Sequence, residues 1–526
     1  MRFTPVPSKL ASVGRVRPKE ATAVDVGVSQ QHSRVQRVHL TNIRLDPFGA
    51  MLVATIIGAA IRLSTVDLQS FWDDEGFTVT LMRLSFVDML QGVRETEGSP
   101  PLYYVLAWGW AQIFGTGEWG LRSLSAVVGT ATVPVAYFAG CTIGSRRGAA
   151  VAAFLVAASP LLVWYSQEAR TYALFGLLSA LSFLTFARAL RGEQRSLIWW
   201  AATAALALAS HYFAAFIVAA EAAWLLVSLG VRRATVAAVG AVAIVAVALA
   251  PLALHQSDRA GGLLSTPLET RVAQVPVQFL VGYGVSAMLV GRLALAAGAV
   301  LIGIGAWLLV ARAAEEIRRG AGLAAALAAV AVAMPVFVAY VATDYLKTLY
   351  LIGALPLAAI AVAQGFGTTR GGLLAAALLV AIGLSITGLV AATPRLQRPD
   401  LRGIASALGS PAADRAIVIA PTSRIDVYMK GLQRFPSRAQ PVAEVVFVAQ
   451  PVKEPGELAV VPRTLSRPFA VQGFESSGRL LADRFTILRF RASRPRHVTR
   501  EELLRASFPE WPRELTSVVT QTGPGS

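Results

Sequence analysis

At 526 residues, 55% hydrophobic and only 15% charged, with a mean hydropathy of +0.56, the chain is too apolar for a soluble protein, in which about a quarter of residues are charged. The net charge of +17 would point to nucleic acid in a soluble chain. In a membrane protein Lys and Arg instead collect in cytoplasmic loops, and no nucleic-acid partner is expected.

Residues 1–47 are polar and rich in Arg, Lys, Val and Ser, without the basic, apolar and cleavage-site pattern of a signal peptide. They read as a disordered, basic cytoplasmic tail, which makes the first span an uncleaved anchor. Apolar stretches of about 20 residues, enough to cross a bilayer as helices, then recur from residue 48 to residue 392. One of them, "PPLYYVLAWGWAQIF" at 100–114, opens on two prolines and is interrupted by Gly109 and Gln112. Counted as a span, it would turn Arg146 and Arg147 outward, and every later basic cluster with them. Left out, it places Arg146/Arg147, Arg188/Arg191/Arg195, Arg232/Arg233, Arg312/Arg318/Arg319 and Arg370 all inside with the basic N-terminus, as the positive-inside rule requires.

The sequence therefore predicts eleven spans, at 48–66, 121–141, 148–165, 171–190, 197–210, 213–230, 234–254, 286–310, 321–343, 348–366 and 372–392. The Pro-Pro segment becomes an amphipathic helix on the outer surface, within an outer loop over 64–120. An odd count puts residues 393–526 outside, where "RAIVIAP" and "ADRFTILRFR" read as strands and "RPDLRGIASALG" as a helix. The fold expected is a polytopic α-helical membrane domain over 48–392 with a small extracytoplasmic α/β domain behind it. Heavy use of Ala, Val, Gly and Arg suggests a bacterial plasma membrane. Cys141 is the single cysteine, so no intramolecular disulfide framework exists.

With that topology, polar groups gather on the outer side. The first loop carries Asp73, Asp74 and Glu75 in "FWDDEGFT", followed by Glu95 and Glu97; Arg122 opens the second span. Glu168, Arg170 and Tyr172 stand where the third span exits, His211 and Tyr212 where the fifth ends, and Asp344, Lys347 and Tyr350 beyond the ninth. A lone acid or Arg at a helix end usually marks the bilayer boundary, and Glu95, Glu97, Asp344 and Arg271 read that way. His211 serves equally well as an interfacial histidine. Three adjacent carboxylates repel one another and call for a cation or a catalytic task. Glu221 lies midway through the sixth span, where an ionisable group is either a site residue or a structural hydrogen-bond partner.

"FWDDEGFT", "SPPLYYVLAWGWAQIFGTGEWGLRSLSAVVGTATVPVAY", "SPLLVWYSQEARTYAL" and "SHYFAAF" together resemble the membrane glycosyltransferases of family 39. These belong to the GT-C class, with protein O-mannosyltransferases and the lipid A aminoarabinose transferase. The resemblance implies transfer of a sugar from a polyprenyl-phosphate donor to an extracytoplasmic glycan, lipid or protein. It puts the family's Asp-Glu pair on Asp74 and Glu75, with Asp73 as an alternative acid. Donor or substrate contacts are implied at Arg170, Glu168, Arg122, Lys347, His211, Tyr212 and Tyr103, with Tyr172, Tyr350 and Glu221 as secondary candidates. Ser99 replaces a histidine common in relatives before the Pro-Pro pair. Leu349 stands where they tend to have Arg, leaving Lys347 as the substitute cation. A divalent metal, Mg or Mn, is left open.

A sugar on a lipid phosphate already has a good leaving group. The reaction needs a base for the acceptor hydroxyl and cations for the departing phosphate. One displacement with a single carboxylate base would invert the anomeric centre, by analogy with inverting glycosidases. A lipid-linked sugar transporter or flippase is the competing reading. It would carry several mid-membrane ionisable groups in repeated halves, and only Glu221 fits.

Overall fold

The computed structural model describes residues 46–260, 266–452 and 460–523; the expected N-terminal tail lies outside them except for its last two residues. Each of the eleven predicted spans contains a helix. Among the described residues, seven helices are long and apolar enough to cross a membrane: α1 (Pro47–Ser64), α5 (Glu118–Ile143), α8 (Tyr172–Leu190), α11 (Arg233–Ala260), α13 (Leu289–Arg312), α14 (Glu315–Val341) and α16 (Arg370–Ala392). α9 (Arg195–Ser210), α10 (Ala214–Leu229) and α15 (Ala354–Phe366) are shorter.

The predicted span at 148–165 is not one helix. It is α6 (Arg146–Ala158) and α7 (Pro160–Ser166), bent by 56° between them. The cause is local: Pro160 has no N–H and forces the preceding Ser159 out of helical geometry, to ψ 118°. The Ser159 hydroxyl then caps α7 by accepting the Leu162 N–H at 3.5 Å. The break leaves carbonyls without helical donors, and Arg62 of α1 supplies them. Its guanidinium donates to Val156 O (3.2 Å) and Ala157 O (3.0 Å), and its Nε to Ser166 Oγ (3.1 Å). A fully buried arginine inside an apolar span is thus explained by the proline four residues beyond Val156.

The surface layer over 64–120 holds α2 (Asp73–Met82), α3 (Phe86–Thr96) and α4 (Leu102–Phe114). α4, the Pro-Pro segment, has 13 residues, about 20 Å at 1.5 Å per residue, short of the roughly 30 Å hydrocarbon core. One helix was not expected: α12 (Leu268–Val281) fills what the sequence reads as a loop between the seventh and eighth spans. Its 14 residues contain Pro276, which hid a short helix in a window-length hydropathy reading.

The C-terminal unit begins with α17 (Leu401–Leu408) and builds one six-stranded sheet. Its strands are β1 (Arg415–Ala420), β2 (Leu432–Arg434), β3 (Gln440–Ala449), β4 (Phe474–Leu481), β5 (Thr486–Val498) and β6 (Ser517–Gln521), in the order β2-β6-β1-β3-β5-β4. Only β1 and β3 pair in parallel. β1 is buried along its whole length, and its period of two sorts the core. Ala416, Val418 and Ala420 face the layer that includes α18 (Arg500–Arg505), while Ile417 and Ile419 pack with Leu401, Ile404 and Leu408 of α17.

This unit sits on the surface layer. Arg424 lies so close to α2 that a Cβ on Gly76 would come within 2.5 Å of its own Cβ. The Tyr428 hydroxyl accepts the Phe71 N–H at 2.6 Å and donates to Glu118, which Arg402 also pairs.

Candidate active site

The three acids of "DDE" occupy the first turn of α2, where negative charge is favoured by the helix dipole. Successive side chains on a helix diverge by about 100°, and here each meets a different environment. Asp73 turns to the C-terminal unit and accepts the Arg424 N–H at 2.9 Å; burial pushes its carboxyl up to about 6. Glu75 is fully buried in a two-pronged pair with Arg122, at 2.6 Å (Nε to Oε1) and 2.5 Å (Nη2 to Oε2). It also accepts the Ala169 N–H at 2.8 Å. Its carboxyl is held below the ordinary range: burial works against ionisation, and the charge and hydrogen bonds of Arg122 overcome it. Asp74 is half-buried, and its carboxylate has no hydrogen bond or ion pair among the described residues.

Asp74 faces charged and phenolic groups brought by other elements. Its charge is felt by Glu168, Arg170, Tyr172 and Tyr350. The turn between α7 and α8 supplies the first two. Arg170 donates from Nη1 to Glu97 Oε2 at 2.8 Å and to the Asp74 carbonyl at 3.4 Å, and its guanidinium lies 5.9 Å from the Tyr104 ring. Glu168 Oε2 is paired with Arg398 Nη2 at 2.9 Å. Burial, with Glu75 and Asp74 adding to it, pushes Glu168 up to about 7 against the pull of Arg398. Arg170 Nε and Glu168 Oε1 are buried with no hydrogen-bond partner among the described residues. Unmatched buried polar atoms are uncommon, and a donor and an acceptor left open beside a free carboxylate mark a place for a polar ligand.

His211, at the C-terminus of α9, stacks on Phe175 (4.8 Å, 10° between planes) and lies 5.2 Å from Tyr350. Burial, with the Arg170 charge nearby, pushes it down to about 3, so the imidazole is neutral. Its Nδ1 accepts the Phe213 N–H at 3.2 Å, which puts the ring proton on Nε2. Lys347 follows α14, half-buried, its ammonium 5.8 Å from the Tyr350 ring centroid and without an ion pair among the described residues. Its loop is pinned from α12: Arg271 pairs with both oxygens of Asp344, and that pairing lowers the Asp344 carboxyl.

The remaining candidates make their own contacts. Tyr103 is buried in α4 with its hydroxyl 3.4 Å from Ser125. Tyr212 donates to Gln256 at 2.7 Å. Glu221 accepts from Ser182 and, at 2.9 Å, from Trp200 Nε1, a cluster joining α8, α9 and α10. Glu97, read as a boundary residue, is only 2% exposed and holds Arg170. Arg398, Arg424 and Tyr428 come from the C-terminal unit and no signal in the sequence pointed to them. Among the described residues no three His, Cys, Asp or Glu side chains converge as a metal-binding group.

Within the helices, an apolar cavity of about 460 Å³ opens at the α6–α7 bend, between α12, α13, α15 and α16. Pro160, Pro276, Phe279, Leu280, Ile302 and Leu355 are among its walls. A smaller cleft lined by Gln69, Trp164, Gln167 and Tyr283 shares Pro160 with it.

Residues 98–255 match the family model described as dolichyl-phosphate-mannose-protein mannosyltransferase. The matched stretch contains Tyr103, Arg122, Glu168, Arg170, Tyr172, His211, Tyr212 and Glu221, and includes neither Asp74 nor Lys347. No curated protein matches the chain in sequence. Among solved structures, ArnT from Cupriavidus metallidurans bound to undecaprenyl phosphate matches with a TM-score of 0.50 at 10% identity, over 79% of this chain and 98% of that one. The archaeal oligosaccharyltransferase AglB from Archaeoglobus fulgidus, in complex with an inhibitory peptide and a dolichol-phosphate, reaches 0.40 at 13% identity, over 66% of this chain and 55% of its own. Part of the chain is thus similar to that mannosyltransferase family, and the likeness to ArnT, at 10% identity, is one of fold.

Proposed function

We propose that this chain is a GT-C glycosyltransferase that transfers a sugar from a polyprenyl-phosphate donor to an extracytoplasmic glycan, lipid or protein at the bacterial plasma membrane, with Asp74 as the base. The observation that carries the reading is Asp74 itself. It is the one acid of the triplet with no partner among the described residues, and it faces Arg170.

A base must be able to take a proton from the acceptor hydroxyl as that oxygen attacks the anomeric carbon. Glu75, locked onto Arg122, is unsuited to this and instead fixes the first turn of α2. The cations divide in the same way. Arg122 is spent on Glu75, while Arg170 engages Glu97 through Nη1 and leaves Nε and Nη2 without a hydrogen bond among the described residues. Lys347 is without an anionic partner among the described residues and is the principal ligand for the departing phosphate in this reading. Arg170 Nε and the neutral His211, through Nε2–H, add donors as negative charge develops on the phosphate. Tyr172 and Tyr350 form the aromatic wall between them. One displacement on one base inverts the anomeric centre.

The apolar cavity at the α6–α7 bend suits the first isoprene units of the donor, and the ArnT structure with undecaprenyl phosphate supports a lipid of that kind. The basic segments 146–147, 188–195, 232–233 and 312–319 all lie at the end of the bundle opposite Asp74, which supports a catalytic end outside. The one mid-span acid, Glu221, is tied to Ser182 and Trp200 and marks no transport path.

The test is incubation of the purified protein with a panel of labelled undecaprenyl-phosphate sugars and envelope acceptors. Label should move to acceptor with release of undecaprenyl phosphate, and Asp74→Asn should stop it. Label transfer that persists in Asp74→Asn would refute the assignment of the base.

A further inference from the structure

We propose that Arg398, in the short segment joining α16 to α17, is a positioning residue of the Asp74 site: through it the C-terminal unit sets the turn that presents Arg170. The inference rests on the transferase reading above and adds a part of the chain that the family match does not reach.

Arg398 is almost wholly buried. Its guanidinium stacks 4.2 Å from the Trp164 ring centroid and pairs with the fully buried Glu168. Its own N–H donates to Gln69 Oε1 at 2.8 Å. Next to it, Ser70 Oγ donates to Pro399 O and accepts the Leu401 N–H, each at 3.0 Å. The carbonyls of Gln69 and Ser70 are the ones that hold Arg122, at 2.6 and 2.9 Å. The same two residues therefore anchor the C-terminal segment on one side and the Arg122–Glu75 pair on the other. Glu168 begins the turn whose next two residues reach α2, Ala169 at Glu75 and Arg170 at the Asp74 carbonyl. Arg398 is the point where these connections meet.

Its charge matters as well as its place. Glu168 is faced by Arg398 and Arg170, by the carboxylates of Asp74 and Glu75, and by the phenols of Tyr103, Tyr165, Tyr172 and Tyr283. Arg398 is the cation in direct contact with it. Without that contact, burial and two neighbouring acids drive Glu168 to bind a proton, and the turn loses the ionic bond that holds it. Losing an opposite charge at this range moves a carboxyl upward by about 1–3 units.

The experiment uses the full-length protein in membranes with Arg398→Gln, Arg398→Lys, Glu168→Gln and the double Arg398→Gln/Glu168→Gln. The acid limb of the kcat/KM–pH profile should move upward by about one unit or more in Arg398→Gln, which is roughly tenfold in rate on that limb. Arg398→Lys should restore most of it. In the Glu168→Gln background the shift should vanish. A profile for Arg398→Gln that superimposes on wild type, or an equal shift without Glu168, would overturn the proposal.

Thermal unfolding of the four proteins without substrate gives a readout separate from transfer. The two substitutions should be strongly non-additive in midpoint, and additive midpoints would overturn the pairing. If wild type transfers no sugar from any donor while the midpoints remain coupled, the transferase reading fails and the docking of the C-terminal unit stands.

Discussion

Three neighbouring carboxylates in three environments allow the base to be identified by a comparison within one turn of helix. Asp74→Asn keeps the size of the side chain and, because the Asp74 carboxylate has no partner among the described residues, removes no recorded contact. Its folding cost should stay within about 0.5 kcal/mol, the range for substitutions away from such features. Transfer should nevertheless fall by about 10²–10⁴, the usual loss with a general base. Glu75→Gln should behave in the opposite sense. It breaks a fully buried pair and strands Arg122, an event that typically costs about 3–5 kcal/mol, so the variant should be scarce in the membrane before its activity is considered. Asp73→Asn retains an acceptor for the Arg424 N–H and should cost about 1 kcal/mol with little loss of turnover, on the scale of one hydrogen bond. The assay is transfer from a labelled undecaprenyl-phosphate sugar, normalised to folded protein by detergent size-exclusion and midpoint of unfolding. A stable, abundant Asp74→Asn that turns over like wild type would refute the reasoning. Loss of turnover in Asp73→Asn with normal stability would move the base one residue back.

Lys347→Ala should weaken undecaprenyl phosphate binding by about 1.5–3 kcal/mol, the value of a hydrogen bond to a charged group, with an unchanged midpoint. Arg271→Met, which frees the Asp344 loop, should weaken it in the same direction, and equal affinity in both variants would remove Lys347 from the phosphate site. Burial pushes the Glu168 carboxyl up to about 7 in the folded state, above its ordinary value near 4.5. The folded state therefore holds the extra proton, and this residue's contribution to stability falls as pH rises from about 4.5 through 7. Glu168→Gln should flatten that slope in unfolding measured across the range, and an unchanged slope would contradict it. In a Cys141→Ala background, cysteines placed at the exposed Gly98 and Ser477 should both label from outside intact cells with an impermeant thiol reagent; protection of either until lysis would reject the outward orientation.

Much of the membrane architecture was legible because its causes are local. Twenty apolar residues form a helix wherever they occur in a bilayer, and α4 is a helix of only 13 residues. The two departures also have local causes. Pro160 turned one expected span into α6 and α7, and Pro276 hid α12 in a stretch too short for a hydropathy window. The strands "RAIVIAP" and "ADRFTILRFR" were visible through their β-branched content, but the sheet order was not, since β1 pairs with β3 29 residues on (Arg415 with Glu444) and with β6 106 residues on (Arg415 with Gln521).

The site was legible as a set of residue types and not as a set of roles. Asp74 lies within electrostatic reach of Glu168 and Arg170, and Lys347 lies beside Tyr350. What a sequence cannot show is which charges cancel. Arg122 and Arg170 both looked like phosphate ligands, yet Glu75 consumes the first and Glu97 holds one nitrogen of the second. Glu97 looked like a bilayer marker because nothing in "ETEGSPP" reveals that its side chain turns inward beneath Tyr104. Arg398 and Arg424 lie more than 200 residues from the acids and bases they organise, beyond the last span, in a domain with its own core. Once these pairings are removed from the inventory, the unpaired groups left at the site among the described residues are the Asp74 carboxylate, the Lys347 ammonium, Nε and Nη2 of Arg170, one carboxylate oxygen each of Glu168 and Glu97, and the Tyr104 hydroxyl. A displacement on a sugar phosphate needs a proton acceptor on one side of the anomeric carbon and positive charge on the other. The unpaired remainder, rather than the full list of charged residues, is what matches that demand.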